Sequence, residues 1–374
     1  MNAPLKYVQI GVGGWGGHWC SDVLPRLATL GLAKAVAAAD INPEVLRSAK
    51  AALGLPDERL YTRAEDAIAE TKPDFVTIVV PPSIHEQMVD LAIKYDCHIL
   101  SEKPIADTMA ACCRIYNKVK RAGKKMAVTM SHRFDQDKQS LAAAVKSGKY
   151  GALNYIIYRF THNCRAFGSW GKFRHEIPDP LLVEGTVHHF DVLRAIAGAN
   201  AKRVYTVAWN PPWGEFAGDS TALITIEMTN GVKCFYEGAK ANASSLNGWE
   251  QDYIRAECEH GTLELDRRWL RVLRGGPWER PLAEDLPLLQ QPVWTNAWLA
   301  EMFCHWLVGG KEPPNSLEDN IHCAALLFAA VESAHSGGVV DVAAFLDRHM
   351  QAVAPTRAQG FRAPGAPSGA VTDC

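Results

Sequence analysis

The first third of the chain alternates short β-branched apolar runs with stretches of helical period. Residues 7–10, 35–39, 75–80, 98–100 and 126–129 read as strands, and 43–53, 83–95 and 107–122 as helices between them. Strands alternating with helices predict a doubly wound parallel sheet. After about Ser131 the rhythm changes. Runs at 155–160, 203–208, 221–228, 232–236 and 253–257 read as strands with few helices between them, and Thr229-Asn230-Gly231 is a hairpin-turn signal. That pattern predicts a large open, mainly antiparallel sheet, hence an α/β unit followed by an α+β unit. Helical stretches at 294–307 and 318–335 follow, and the segment from Ala352 is rich in Ala, Pro and Gly without periodicity. The expected division is a nucleotide-binding domain over 1–130, a substrate and oligomerisation domain over 131–350, and a flexible tail over 351–374.

Composition narrows the class. The 374 residues exceed one hydrophobic core, and 48% hydrophobic with 21% charged residues is ordinary globular composition. A formal net charge of −2 gives no reason to expect nucleic acid or an anionic membrane as partner. No apolar run reaches the roughly 18–20 residues that span a bilayer. The start, Met1 to Tyr7, lacks the pattern of a secretory leader, so a cytoplasmic protein is expected. Ten cysteines are scattered with no C-x-x-C pair, and adjacent Cys112 and Cys113 suit neither a disulfide nor a shared metal. Reduced, mostly buried thiols are expected.

Gly11-Val12-Gly13-Gly14-Trp15-Gly16 matches G-x-G-x-x-G between a strand and a helix. The first glycine permits the tight turn, the second lets backbone reach a pyrophosphate, and the third lets helix and strand pack closely. Asp40 ends the second strand near the spacing of about 20 residues expected for a ribose-binding acid. Its carboxylate would accept both ribose hydroxyls and repel a 2′-phosphate, and Ile41 beside it offers no positive charge. NAD is therefore favoured over NADP.

Two further segments sharpen this reading. Val79-Val80-Pro81-Pro82-Ser83-Ile84-His85, then Ser101-Glu102-Lys103-Pro104, resembles the nucleotide domain of the glucose–fructose oxidoreductase / inositol dehydrogenase (Gfo/Idh/MocA) family. Leu181-Leu182-Val183-Glu184-Gly185-Thr186-Val187-His188-His189-Phe190-Asp191 is similar to that family's D-x-G-x-H-x-x-D segment, with Glu184 where Asp is usual and Thr186 where Gly is frequent. The resemblance runs over roughly residues 5 to 345. It implies a cleft between the two domains, with Val80, Pro81, His85, Glu102 and Lys103 joining the glycine loop around NAD. It also implies that Lys103 is the active-site lysine and that the Lys103–Pro104 bond is cis. The glycine cluster that often precedes the second segment is replaced here by 174–180, so substrate contacts on that side do not carry over.

Hydride transfer from a secondary alcohol needs a nicotinamide, a base for the hydroxyl proton and a positive group near the developing alkoxide. His188 is the expected base, because an imidazole titrates near working pH. Asp179 and Pro180 read as the cap and first position of a helix that ends before Gly198. On it Glu184, His188 and Asp191 fall on one stripe, Glu184 orienting His188 and Asp191 serving the ring or a substrate hydroxyl. Arg133 reads equally as a substrate contact or a structural ion pair. Arg165 and Trp170, in a loop with Lys172 and Arg174, suit a polyhydroxylated ring. His188, His189 and Asp191 point too far apart around a helix to share an ion, and no metal is expected.

The resulting expectation is an NAD-dependent dehydrogenase acting on a sugar, glycoside or cyclitol. A redox-neutral glycoside-cleaving enzyme with retained NAD, and a non-catalytic dinucleotide sensor, stay open as alternatives. An uncovered face on the second sheet predicts a homodimer or homotetramer.

Overall fold

Two sheets organise the chain, and the computed structural model describes residues 3–354. β1 (Leu5–Ile10), β2 (Ala33–Ala39), β3 (Leu60–Tyr61), β4 (Phe75–Ile78), β5 (His98–Glu102) and β6 (Met126–Thr129) pair in parallel in the order β3-β2-β1-β4-β5-β6. Helices lie on both faces, which is why β4 is apolar and buried along its whole length. The strand order reverses between β1 and β4, and a crevice opens there at the carboxyl ends of the strands. Local chemistry sets the helix ends. Asn42 caps the helix Pro43–Leu53 by accepting from the Glu44 N–H, and Gly54 stops it in the left-handed region. Thr108 caps Met109–Arg121 in the same way.

The second sheet joins β7 (Leu153–Thr161), β8 (Ala201–Trp209), β9 (Thr221–Met228), β10 (Lys233–Ala239), β11 (Tyr253–Cys258), β12 (Gly261–Asp266), β13 (Trp269–Arg274), β14 (Leu282–Asp285) and β15 (Val340–Asp341). Their order is β14-β13-β12-β11-β7-β10-β9-β8-β15, antiparallel except where β7 meets β10. The Asn230-Gly231 turn joins β9 to β10 as expected. Strands β12 to β14 carry no signal in the sequence reading. The turn between β12 and β13 places Arg267 and Arg268 at positive φ, where glycine or asparagine would have announced a hairpin.

Alternation along β9 buries Ala222, Ile224, Ile226 and Met228 against the helices and turns Leu223 outward. Each fully buried aliphatic side chain there contributes about 1.5–3 kcal/mol. The helices Val187–Ala197 and Leu317–Ser336 cover this inner face. The outer face exposes Tyr205, Val207, Trp209, Leu223 and Phe235.

Two expectations for the helix preceding Gly198 are corrected. Asp179 does not cap it; its carboxylate lies 3.0 Å from His335 Nε2. The element opens as a π-helical turn, Leu181–Thr186, before the α-helix Val187–Ala197, so Glu184 is rotated away from the stripe predicted from α-helical spacing. Gly198 does end the helix in the left-handed region. Residues 351 and 352 close the helix Val342–Ala352 rather than starting a tail, and the expected tail from 355 onward lies outside the described residues.

Candidate active site

The glycine loop leaves β1 where β4 ends. A Cβ on Gly11 would collide with the Val79 carbonyl, and one on Gly16 with the Gly11 carbonyl, so both positions need glycine for close approach. Gly14 is at positive φ with open space on its side-chain face, which leaves room for a ligand against the backbone. Asp40 Oδ2 accepts from the N–H groups of Val12 (2.8 Å) and Gly13 (3.2 Å), and Oδ1 from Asn42 (2.9 Å). The carboxylate therefore holds the loop in shape while standing at its edge, next to the exposed Ile41. The indole N–H groups of Trp15 and Trp19 both donate to Glu102 Oε1, tying the segment after the loop to the end of β5. Together these residues form a cradle that fits a dinucleotide.

His85 is corrected as a cofactor contact. It is buried, with Nε2 2.9 Å from the Val80 carbonyl and Nδ1 3.0 Å from that of Pro104. It braces the Val80–Pro81 loop against the Lys103–Pro104 segment, whose peptide bond is cis.

Lys103 reaches across to the second half of the chain. Its Nζ lies 3.4 Å from the Glu184 carbonyl and 3.5 Å from Oε2, and Arg174 Nε donates to the same oxygen at 3.1 Å. Burial pushes the Glu184 carboxyl upward, but the Lys103 and Arg174 charges outweigh it and hold it below the usual range. Glu184 thus partners the lysine, and it is not among the hydrogen-bond partners of His188.

One turn on, His188 is buried, with its Nδ1 unpartnered. Its ring stacks on His132 with centroids 4.6 Å apart and meets the Trp249 edge at 5.9 Å. Burial, then the neighbouring His132, Lys103 and His189, hold its pKa well below the ordinary histidine value. The ring is therefore neutral near pH 7. His189 is a brace, with Nδ1 2.8 Å from the Tyr236 hydroxyl.

Asp191 and Arg133 are not brought into the cleft. Asp191 is fully buried between Arg133 and Arg194, each at 3.2 Å. Arg133 also binds Asp319 at 2.9 Å and the Pro314 carbonyl at 2.7 Å. This network ties Val187–Ala197 to Leu317–Ser336, so Asp191 is corrected from a ring or substrate contact to a structural ion pair, and of the two readings left open for Arg133 the ion pair is the one observed. Arg165 stands exposed away from these groups, while Trp170 packs against the face of Gly185.

The sequence reading missed His132, Trp249 and Lys240, which surround His188 and Trp170. The signal available was position: Lys240 follows the last residue of β10, at the same sheet edge as the end of β7. His132, His189 and Asp252 offer ligand atoms within 4.8 Å of one another. The Lys138 ammonium, shared with Asp135 and Asp137, sits 2.7 Å from the Asp252 carboxylate, so a side-chain cation already occupies that carboxylate. Beyond Glu184 lies a cavity of about 950 Å³, walled by Pro81, Phe173, Val183, Phe328, Val331 and Phe345. Neither Lys103 nor His188 lines it, so the chemistry sits beside this space rather than inside it.

Residues 5–130 match an oxidoreductase family's NAD-binding Rossmann fold, and residues 142–342 match the C-terminal alpha/beta domain of the same family. The uncharacterized protein y4oX of Sinorhizobium fredii is 41% identical over 92% of this chain and 97% of its own length. An inositol 2-dehydrogenase of Corynebacterium glutamicum is 29% identical over 62% of this chain and 66% of its own. A solved oxidoreductase from Agrobacterium radiobacter, in complex with NAD+, L-tartaric acid and magnesium, superimposes with a TM-score of 0.76 at 22% identity, covering 91% of this chain and 99% of that one. That last likeness is one of fold.

Proposed function

The chain belongs to the Gfo/Idh/MocA oxidoreductase family, and from that membership we propose that it transfers a hydride between a secondary alcohol carbon of a sugar, glycoside or cyclitol and NAD. The observation that carries this reading is the convergence of Lys103, from the end of β5, with the helix bearing Glu184 and His188. NAD, when bound along the glycine loop, supplies the hydride acceptor. His188, a neutral imidazole beside Lys103, takes the hydroxyl proton through Nε2, since its Nδ1 is enclosed. Lys103 places positive charge where the substrate oxygen becomes negative. Glu184, itself held by Arg174, fixes that ammonium from the opposite wall. Asp40 supports NAD over NADP, since a 2′-phosphate would meet its carboxylate. The exposed apolar outer face of the second sheet supports a homo-oligomer.

The test is to incubate the purified protein with NAD and a panel of cyclitols, aldoses and glycosides and follow NADH absorbance. NADH formation with any member supports the reading. Confirmed NAD binding without turnover of any member sinks it. Product formed without NADH accumulation assigns the redox-neutral alternative instead.

A further inference from the structure

Lys240 is buried to 0% exposure, and its Nζ has no hydrogen-bond partner among the described residues. The nitrogen is ringed by three aromatic faces, Phe160 and Trp170 at 4.1 Å and Trp249 at 4.6 Å. Its backbone is fixed on both sides, the N–H bonded to the Ser220 carbonyl at 2.8 Å and the carbonyl accepting from Cys164 at 2.7 Å. The side chain is therefore held inward. A buried ammonium normally has a carboxylate partner, because desolvating a lone charge costs far more than a ring face returns. The neighbouring acids are engaged with other cations. Glu184 is held by Lys103 and Arg174, and Asp252 by Lys138.

The cage belongs to the same locality as the proposed chemistry. Trp249 faces both Lys240 and the His188 ring, and Trp170 touches both Lys240 and Gly185, next to Glu184. Around Glu184 the cations Lys103 and Arg174 outnumber the one carboxylate, and Lys240 adds a third basic group beside Arg174.

We propose that Lys240 receives a carboxylate of the substrate, so that the compound oxidised is an acidic polyol, a sugar acid or carboxylated cyclitol, rather than a neutral one. The inference rests on the hydride-transfer reading above. A carboxylate is the anion proposed because the cage presents one ammonium, and Arg174 beside it is already engaged with Glu184 and the Trp170 carbonyl. Trp170 lies half-buried in the segment after β7, and the proposal requires it to move aside to admit the acid. Burial lowers the free amine to about 7, with Cys164, Arg174 and Asp252 as the charged or titratable groups acting on it. An entering anion restores the proton, so binding above neutral pH takes one up.

The experiment compares matched substrates, each polyol with and without a carboxylate, on the NAD-loaded enzyme and on Lys240→Met. The acid is expected to be favoured at least tenfold in kcat/KM by the wild type, and Lys240→Met to bring that ratio close to one. Calorimetry of acid binding at pH 8, in buffers of different ionisation enthalpy, is expected to show proton uptake that Lys240→Met lacks. Equal use of acid and neutral polyol by an active enzyme overturns the proposal and leaves hydride transfer standing. Preference for a phosphorylated polyol, or acid binding without proton uptake, overturns it as well. No turnover with either class would instead count against the dehydrogenase reading itself.

Discussion

The Lys103 ammonium lies 3.5 Å from the Glu184 carboxylate, joining the end of β5 to the turn that precedes His188. Both side chains are largely buried, so the pair is weakly screened and geometrically fixed. Removing the lysine leaves Glu184 with Arg174 alone and removes the positive charge proposed to face the reacting oxygen. Lys103→Met is expected to lower kcat by about 10²–10³-fold, the loss typical of one transition-state donor. Steady-state kinetics checks this, and an unchanged kcat would remove Lys103 from the chemistry.

Glu184→Gln keeps the shape of the carboxylate but not its charge. The variant is expected to lower kcat while leaving the KM for NAD near the wild-type value, because Glu184 makes no contact with the glycine loop. A KM defect for NAD without loss of kcat would refute that division of labour.

Asp40 shapes the loop, and in the proposed reading it also excludes a 2′-phosphate. Asp40→Ser keeps a short acceptor for the loop N–H groups and removes the negative charge. The ratio of kcat/KM for NAD to that for NADP is expected to fall at least tenfold. An unchanged ratio would show that another group selects the cofactor.

Three buried histidines set a pH response. His132 is lowered to about 4 and His188 and His189 well below the usual value, burial being the first cause in each. In the unfolded chain they titrate near 6.5. As pH falls below about 6.5 the unfolded state binds protons that the folded state does not, so stability declines with falling pH. Denaturant midpoints should drop between pH 7 and pH 5, and His132→Gln should show a shallower drop. Equal midpoints at the two pH values would contradict the burial of these rings.

Leu223 and Phe235 stand on the outer face of the second sheet, on the neighbouring strands β9 and β10. The double substitution Leu223→Glu, Phe235→Glu is expected to convert an oligomer to monomer by light scattering, with the melting temperature of each subunit's nucleotide-binding part little changed. A wild-type monomer at working concentration would remove the basis of this expectation.

The glycine loop, Asp40 and the parallel order were legible because each depends on neighbours close in sequence or on one repeated strand–helix unit. The loop needs glycine for contacts made within a few residues, and the hairpin at Asn230-Gly231 needs only its own two backbone conformations. The strands after Gly261 were hidden because Arg267 and Arg268 occupy turn positions that usually declare themselves with glycine.

What the chain's order of residues determined by itself was therefore the pair of sheets, the dinucleotide cradle and the identity of Lys103, Glu184 and His188 as candidates. Only the tertiary structure decided how the charges pair. Asp191 is taken by Arg133 and Arg194, and Glu184 by Lys103 and Arg174, while His85 spends both ring nitrogens on backbone carbonyls. Spacing along a helix gives the direction in which a side chain leaves the backbone, but a single π-helical turn redirects it. The partner it meets comes from elements far away in sequence, and in a buried site that partner sets the charge state and so the role.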